Sequence, residues 1–180
     1  MKRRFLISTL FLLLAISTGA CADEESMTAP NWTLHTPDGT SIELAEVSRT
    51  KPQIILFWAT WCPYCKALMP QIQSLRYEYG DSIGVLAVNI MEDGDPVTYL
   101  EEAGLDFTLL LDGDAVAEQY GIQGTPGVII VDTNQQIRFN LRKLPGPNID
   151  ADVAKMSNRQ KARRLAPYWA AEIRMAIDRL

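Results

Sequence analysis

Residues 53–70 read QIILFWATWCPYCKALMP. The run 53–58 is apolar almost throughout, as expected of a strand buried on both faces. From about Cys62 to Tyr79 the pattern changes: Leu68, Ile72, Leu75 and Tyr79 recur at helical spacing. Pro70 stands inside that stretch and predicts a kink. Cys62 then falls at a helix N-terminus, where unpaired N–H groups and the helix dipole favour negative charge. The thiolate is the attacking form of a cysteine, so this position lowers the thiol pKa and raises its reactivity. Cys65 follows one turn later, within reach of a mixed disulfide formed at Cys62. Pro63 suits the first turn because its missing N–H has no intrahelical role there.

The flanking sequence supplies the rest of a sheet. Residues 32–35 and 41–43 alternate apolar and polar side chains around Pro37-Asp38-Gly39, which predicts a β-hairpin. Residues 83–89 read as a second buried strand. Asp95-Pro96 reads as an N-cap with Pro at the first helical position, opening a short helix that ends near Gly104. A strand over 107–111 and a short helix over 115–120 follow. Strands over 128–131 and 136–141, joined through Asp132-Thr133-Asn134, close the pattern. Strands alternating with helices before a final hairpin predict an α/β fold. Its central mixed β-sheet is flanked by helices, with an N-terminal β-hairpin and a C-terminal helical extension.

From about residue 148 the chain reads as helical, with a break at Pro167. Ser157 with Gln160 matches a capping box. Leu165, Trp169, Ile173, Ile177 and Leu180 form one apolar stripe at three- and four-residue spacing. The plainer expectation is that this helix packs back on the domain; the alternative is a docking surface for a partner.

The N-terminus is a separate object. Lys2, Arg3 and Arg4 precede the apolar run 5–16 and the small residues Ser17 to Ala20, the layout of a secretory signal. The run is shorter than the ~20 residues of a membrane-spanning helix. Ala20-Cys21-Ala22 fits cleavage after a small-x-small pattern, whereas Thr18-Gly19-Ala20-Cys21 resembles a lipoprotein box that would leave a lipidated Cys21. The expected organisation is a signal over 1–21, a polar tether over 22–29, a main domain over 30–146 and a helical extension over 147–180. Loss of the three basic residues takes the formal charge from −5 to −8. An acidic domain with no basic cluster before its C-terminal tail argues against nucleic-acid partners. Export would place the cysteines in an oxidising compartment. With Cys21 in the signal, only Cys62 and Cys65 remain, too few for a disulfide framework and suited to exchange chemistry.

Segment 55–70, with the hairpin 32–43 and the stretch GIQGTPGVIIVD at 121–132, resembles the TlpA/ResA-type exported thioredoxins. The likeness spans about residues 30–142. It implies a thioredoxin fold and two-cysteine disulfide exchange, with Cys62 as nucleophile, Cys65 as resolving thiol and a Cys62–Cys65 disulfide in the oxidised form. It also implies a bacterial periplasmic or envelope setting, soluble or lipid-anchored, with exported protein thiols and disulfides as partners. Cytochrome c maturation, envelope redox homeostasis and a membrane electron donor belong to the same family picture. In such domains a cis Thr–Pro bond faces the cysteine pair. Thr125–Pro126 is expected to be cis, although cis accounts for only about 5–6% of X–Pro bonds in folded proteins. It would turn the Thr125 backbone toward an extended peptide that pairs beside the sulfurs. Trp61, Pro63 and Tyr64 complete the predicted docking surface, with Trp61 and Tyr64 exposed and Trp58 in the core.

The chain also departs from the family. Thioredoxins carry a buried Asp six residues before the first cysteine, and Leu56 stands there; related reductases often carry a Glu six residues after it, and Leu68 stands there. Glu43, Glu92 and Asp93 lie elsewhere in the sequence. Pro63-Tyr64 matches the glutaredoxin dipeptide, which predicts a less reducing pair than thioredoxin. Two rival readings are weaker. Structural zinc needs four ligands, and only Cys21 and His35 could join the pair, so neither metal nor cofactor is expected. A lone His35, read as an ordinary strand residue, offers no Cys–His hydrolase arrangement. A thioredoxin-fold module that binds envelope partners without catalysis is the other rival, and the intact cysteine pair argues against it.

Overall fold

The computed structural model describes residues 27–145, 153 and 155–180. The predicted signal with Cys21, the first part of the tether, and residues 146–152 and 154 lie outside the described residues. The chain opens with a hairpin of β1 (Thr33–His35) and β2 (Ser41–Glu43), as its alternation predicts. A short helix the sequence reading missed, α1 (Leu44–Thr50), follows directly. It has no side-chain cap to announce it, and Leu44, Ala45 and Ser48 hold it by burial.

β3 (Gln53–Trp58) is the central strand. β4 (Gly84–Asn89) runs parallel on one side of it, with β5 (Thr108–Leu110) parallel beyond. On the other side β6 (Gly127–Val131) is antiparallel, followed by antiparallel β7 (Ile137–Asn140). Every residue of β3 is buried because alternate side chains enter two cores. Ile54, Leu56 and Trp58 face one; Ile55 and Phe57 face the other. The first core is closed by α2 (Pro63–Tyr79) and α3 (Pro96–Glu102), with Leu68, Ile72 and Leu100 buried in it. The second is closed by the hairpin, α1 and α4 (Asp114–Gln119), where the Trp32 indole N–H donates to the buried Tyr120 hydroxyl at 3.1 Å. Asp95 caps α3 as its sequence predicts, its Oδ1 accepting from the N–H groups of Val97 and Thr98 at 3.0 and 3.1 Å.

The C-terminal extension differs from expectation in two respects. Helix α5 (Asn158–Ile177) runs unbroken through Pro167. Pro167 is exposed, so its ring meets solvent, while Ala166 and Ala170 beside it are buried. Packing on both sides of the proline outweighs the one hydrogen bond it cannot donate. The capping box is present: the Ser157 hydroxyl accepts from the Gln160 N–H, and the Gln160 side chain accepts from the Ser157 N–H. α5 packs along α2, through Ile173 and Ile177 and four buried alanines, 162, 166, 170 and 176. The alanines let the two helix backbones approach closely. Leu180, expected in the stripe, lies past the helix end and is 47% exposed. No helix among the described residues is long and apolar enough to cross a membrane.

Because Ile173 is fully buried in the core cluster that also holds residues of α2 and the sheet, Ile173→Ala is expected to cost about 2–5 kcal/mol of unfolding free energy. Leu180→Ala is expected to stay within about 0.5 kcal/mol. Denaturant melts of the two variants check this, and equal losses would mean that α5 does not pack through the face containing Ile173.

Candidate active site

Sheet register brings three chain segments to one end of β3. Phe57 pairs with Gly127, so Thr125-Pro126 arrives beside the turn that leads from Trp58 to Cys62. Trp58 pairs with Asn89, so the segment after β4 arrives on the other side. The Thr125–Pro126 bond is cis, as the resemblance implies. The Arg142 guanidinium donates to the Gly124 carbonyl at 2.5 Å and ties this loop to the 3-10 turn Leu141–Lys143.

Cys62 is the N-cap of α2, and its sulfur does the work a Ser or Asp oxygen usually does there. The Cys65 N–H donates to Cys62 Sγ at 3.1 Å. Both sulfurs are unbonded to one another here and both residues are buried, Cys62 at 1% and Cys65 at 0% exposure. The Cys62 thiol is drawn down to about 6. The largest cause is a hydrogen bond from the Cys65 thiol; burial opposes it; the Thr125 hydroxyl and the N–H groups of Cys65 and Tyr64 add to the lowering. Thr125 Oγ1 is buried and has no oxygen or nitrogen partner among the described residues, which leaves the sulfurs as its polar neighbours. Burial first, then the hydrogen bond and charge at Cys62, push the Cys65 thiol far above the ordinary range. One proton is thus shared unequally, with the negative charge placed on Cys62.

The site's acidic neighbour is Glu92, which the sequence reading left unplaced. Its carboxylate accepts from the Thr60 N–H at 2.9 Å, the Thr60 hydroxyl at 2.5 Å and the Asn89 side-chain amide at 2.5 Å. The N–H groups of Asp93 and Gly94 donate to it at 3.0 Å each. Burial raises the Glu92 pKa, but these bonds outweigh it and hold the carboxyl below its usual range. Gly94 is required at its position: a Cβ there would come within 2.5 Å of Thr60 Oγ1. The Trp61 indole N–H donates to the Met91 carbonyl at 2.7 Å, fixing a ring that is 48% exposed. Glu92 therefore clamps the turn just before Cys62, and no sequence motif announces it. Glu43 is engaged elsewhere, accepting from the Asn31 side chain at 2.8 Å, and Asp93 is exposed.

Tyr64 corrects an expectation. It is half-buried, its ring 6.1 Å from that of Trp169 on α5, with its hydroxyl 3.5 Å from Asn158 Oδ1. The C-terminal helix covers it, and helical spacing alone could not show that. Tyr64, Thr125, Pro126, Leu144, Leu165 and Trp169 line a groove of about 390 Å³ beside the sulfurs. Pro63 lines a second cleft on the opposite side with Trp61. Leu56 and Leu68 are fully buried in the same apolar cluster as both cysteines. Among the described residues no group of three or more His, Cys, Asp or Glu side chains is placed to hold a metal ion, and His35 is exposed on β1.

The pattern of the Redoxin family matches residues 24–155. The chain is 34% identical over 112 residues to the thiol-disulfide oxidoreductase ResA of Halalkalibacterium halodurans, covering 61% of this chain and 63% of that one. It is 29% identical over 113 residues to the thioredoxin-like protein YneN of Bacillus subtilis, covering 61% of this chain and 66% of that one. The match thus spans slightly less than two thirds of these two relatives. A thioredoxin-family thiol:disulfide interchange protein of Chlorobium tepidum superposes with a TM-score of 0.59 over 83% of this chain and 99% of that one, at 18% identity. That likeness shows the thioredoxin-like fold.

Alkylation of the dithiol protein by iodoacetamide should titrate at Cys62 with a midpoint near pH 6, with Cys65 unreactive across neutral pH. Because the folded-state pKa lies below the ordinary thiol value of 9.0, the thiolate's contribution to stability is present above that value and lost as pH falls through about 6. Thr125→Val should move the midpoint upward. A midpoint at the ordinary thiol value would show that the sulfur is not held as an anion.

Proposed function

This chain belongs to the Redoxin family, and from that membership we propose that it is a thiol–disulfide oxidoreductase working through Cys62 and Cys65. The observation that carries the reading is the unequal pair: one sulfur drawn down at a helix start, its partner one turn away with its proton retained.

The Cys62 thiolate attacks one sulfur of a substrate disulfide, forming a mixed disulfide and releasing the other substrate sulfur as a thiolate. Cys62 then no longer carries charge or accepts the Cys65 hydrogen bond, and two of the causes that raise the Cys65 pKa vanish. Cys65 gives its proton to the departing substrate sulfur and attacks Cys62 Sγ. The Cys62–Cys65 disulfide forms and two electrons have passed to the substrate, which leaves with one sulfur carrying the Cys65 proton and the other as a thiolate that takes its proton from solvent. Run backwards, the same steps oxidise a substrate dithiol. With Leu56 and Leu68 at the usual acid positions, the substrate sulfur itself is the proton acceptor in this scheme. Thr125 and Pro126 flank the sulfurs on the side where an extended peptide would lie, and Trp61, Pro63 and Tyr64 border the approach.

The finer reading follows the sequence. Residues 1–21 act as an export signal, with 22–29 as tether, 30–146 as the redox domain and 147–180 as its helical extension. The protein works in a bacterial cell envelope, soluble or held by a lipid on Cys21. Its partners are exported protein thiols and disulfides, in envelope redox homeostasis or cytochrome c maturation, recharged from a membrane electron donor when it reduces.

Cys62→Ser should lower disulfide turnover by about 10³-fold or more. Cys65→Ser should instead accumulate mixed disulfides, which non-reducing gels and mass spectrometry would identify. Turnover that survives Cys62→Ser would remove the proposal. A thiolate stabilised near 6 favours the reduced form, so the pair should equilibrate at roughly −230 to −200 mV, above thioredoxin at about −270 mV. A potential at or below thioredoxin's, measured against glutathione, would contradict the less-reducing assignment.

A further inference from the structure

The second cleft at the site has a charge opposite to that of the molecule. It encloses about 300 Å³ between the start of α2 and the first turns of α5, lined by Trp61, Pro63, Lys66, Ala67, Arg159 and Arg163. The chain carries a formal charge of −5, yet three of these six side chains are cationic and none is acidic. Lys66 Nζ sits 5.0 Å from the Tyr99 ring centroid, which holds that cation at the cleft edge.

The placement of the two arginines is unfavourable for the helix itself. Arg159 and Arg163 are four residues apart on one face, where like charges repel. They also lie in the first turns of α5, where the helix dipole favours anions, and the first turn has no acidic residue to offset them. Where the same helix packs far from the cysteines the pattern is conventional: Arg174 pairs with Glu78, and the Tyr79 hydroxyl bonds Asp178 Oδ1 at 2.5 Å. Local stability therefore accounts for the charges at the far end of α5 and not for those at the cleft. Arginine forks are shaped for carboxylates.

We propose that this cleft receives the carboxylates of an acidic segment flanking the reactive cysteine of a protein substrate. Pro63 both lines the cleft and follows Cys62 in the chain, so the cleft opens next to the reacting sulfur. An extended peptide advances about 3.3 Å per residue, so Asp or Glu two to four residues from the substrate cysteine reaches it. The indole of Trp61, fixed by its bond to the Met91 carbonyl, lines the same cleft as the cations. The inference rests on the exchange activity proposed above, and it adds a substrate class: partners with carboxylates beside the cysteine. The acidic molecule as a whole repels such partners, and the three cations of this cleft offset that repulsion beside the cysteines.

The test uses the full chain and two synthetic peptides, each with one cysteine held as a mixed disulfide with a chromogenic thiol. They differ only in carrying Glu or Gln at the positions two and three residues from the cysteine. At low salt the Glu peptide should react roughly tenfold faster. That ratio should fall toward one in the Arg159→Gln/Arg163→Gln double variant and at high salt. Both arginines are exposed, so the double variant should fold, and its unfolding midpoint is measured alongside. A ratio near one for the unaltered protein, or a ratio that the double variant leaves intact, overturns the cleft assignment. Serine-for-cysteine versions of both peptides read the cleft without chemistry, by titrating the change in the protein's tryptophan emission, which a Trp61→Phe variant should lose. Salt-sensitive binding of the Glu form alone supports the cleft even if exchange itself fails, and equal or absent binding of the two forms refutes it.

Discussion

One hydrogen bond organises this molecule's chemistry: the Cys65 N–H donating to Cys62 Sγ at the first turn of α2. A helix must satisfy its first N–H groups, and here a sulfur is the cap. A cap that is also a thiolate ties the stability of the helix start to the ionisation of Cys62. The adjacent Cys65 thiol, too buried to ionise itself, donates to the same sulfur and deepens the effect. The sequence CPYC thus encodes a helix terminus and a poised anion in the same four residues.

That arrangement holds only if the turn before it is rigid, and Glu92 supplies the rigidity. Five hydrogen bonds fasten its carboxylate to Thr60, Asn89 and the backbone of its own loop. Its pKa is lowered in the folded state, so its contribution is present above the unfolded carboxyl value and lost as pH falls through the folded one. The clamp and the Cys62 cap therefore weaken in separate pH windows, the clamp in acid and the thiolate near 6.

The C-terminal helix has two roles at once. Its small buried residues let it lie close along α2, and its aromatic and basic residues reach the site from the side. Trp169 covers Tyr64 and walls the apolar groove, while Arg159 and Arg163 line the basic cleft. The cysteine pair is thus bordered by a groove with one cation, Arg142, in a largely apolar lining and by a cleft with three cations.

Local signals determined most of the elements. The β1–β2 hairpin, strands β3 to β7, the Asp95 and Ser157 caps and the position of Cys62 at a helix start all follow from alternation, spacing and turn chemistry within a few residues. The cis Thr125–Pro126 bond came from resemblance to known sequences rather than from local physics. Where contacts span long separations, short-range patterns carry no information. Asn89 and Glu92 meet Thr60 only because β4 lies beside β3, and Thr125 meets Cys62 only because Phe57 pairs with Gly127. α1 lacks a cap and is held by burial, and α5 passes through Pro167 because packing on α2 outweighs a missing bond. Residues 53–79 alone mark Cys62 as the sulfur at a helix start, whereas its neighbours are set by strand register and helix packing between residues far apart in the chain.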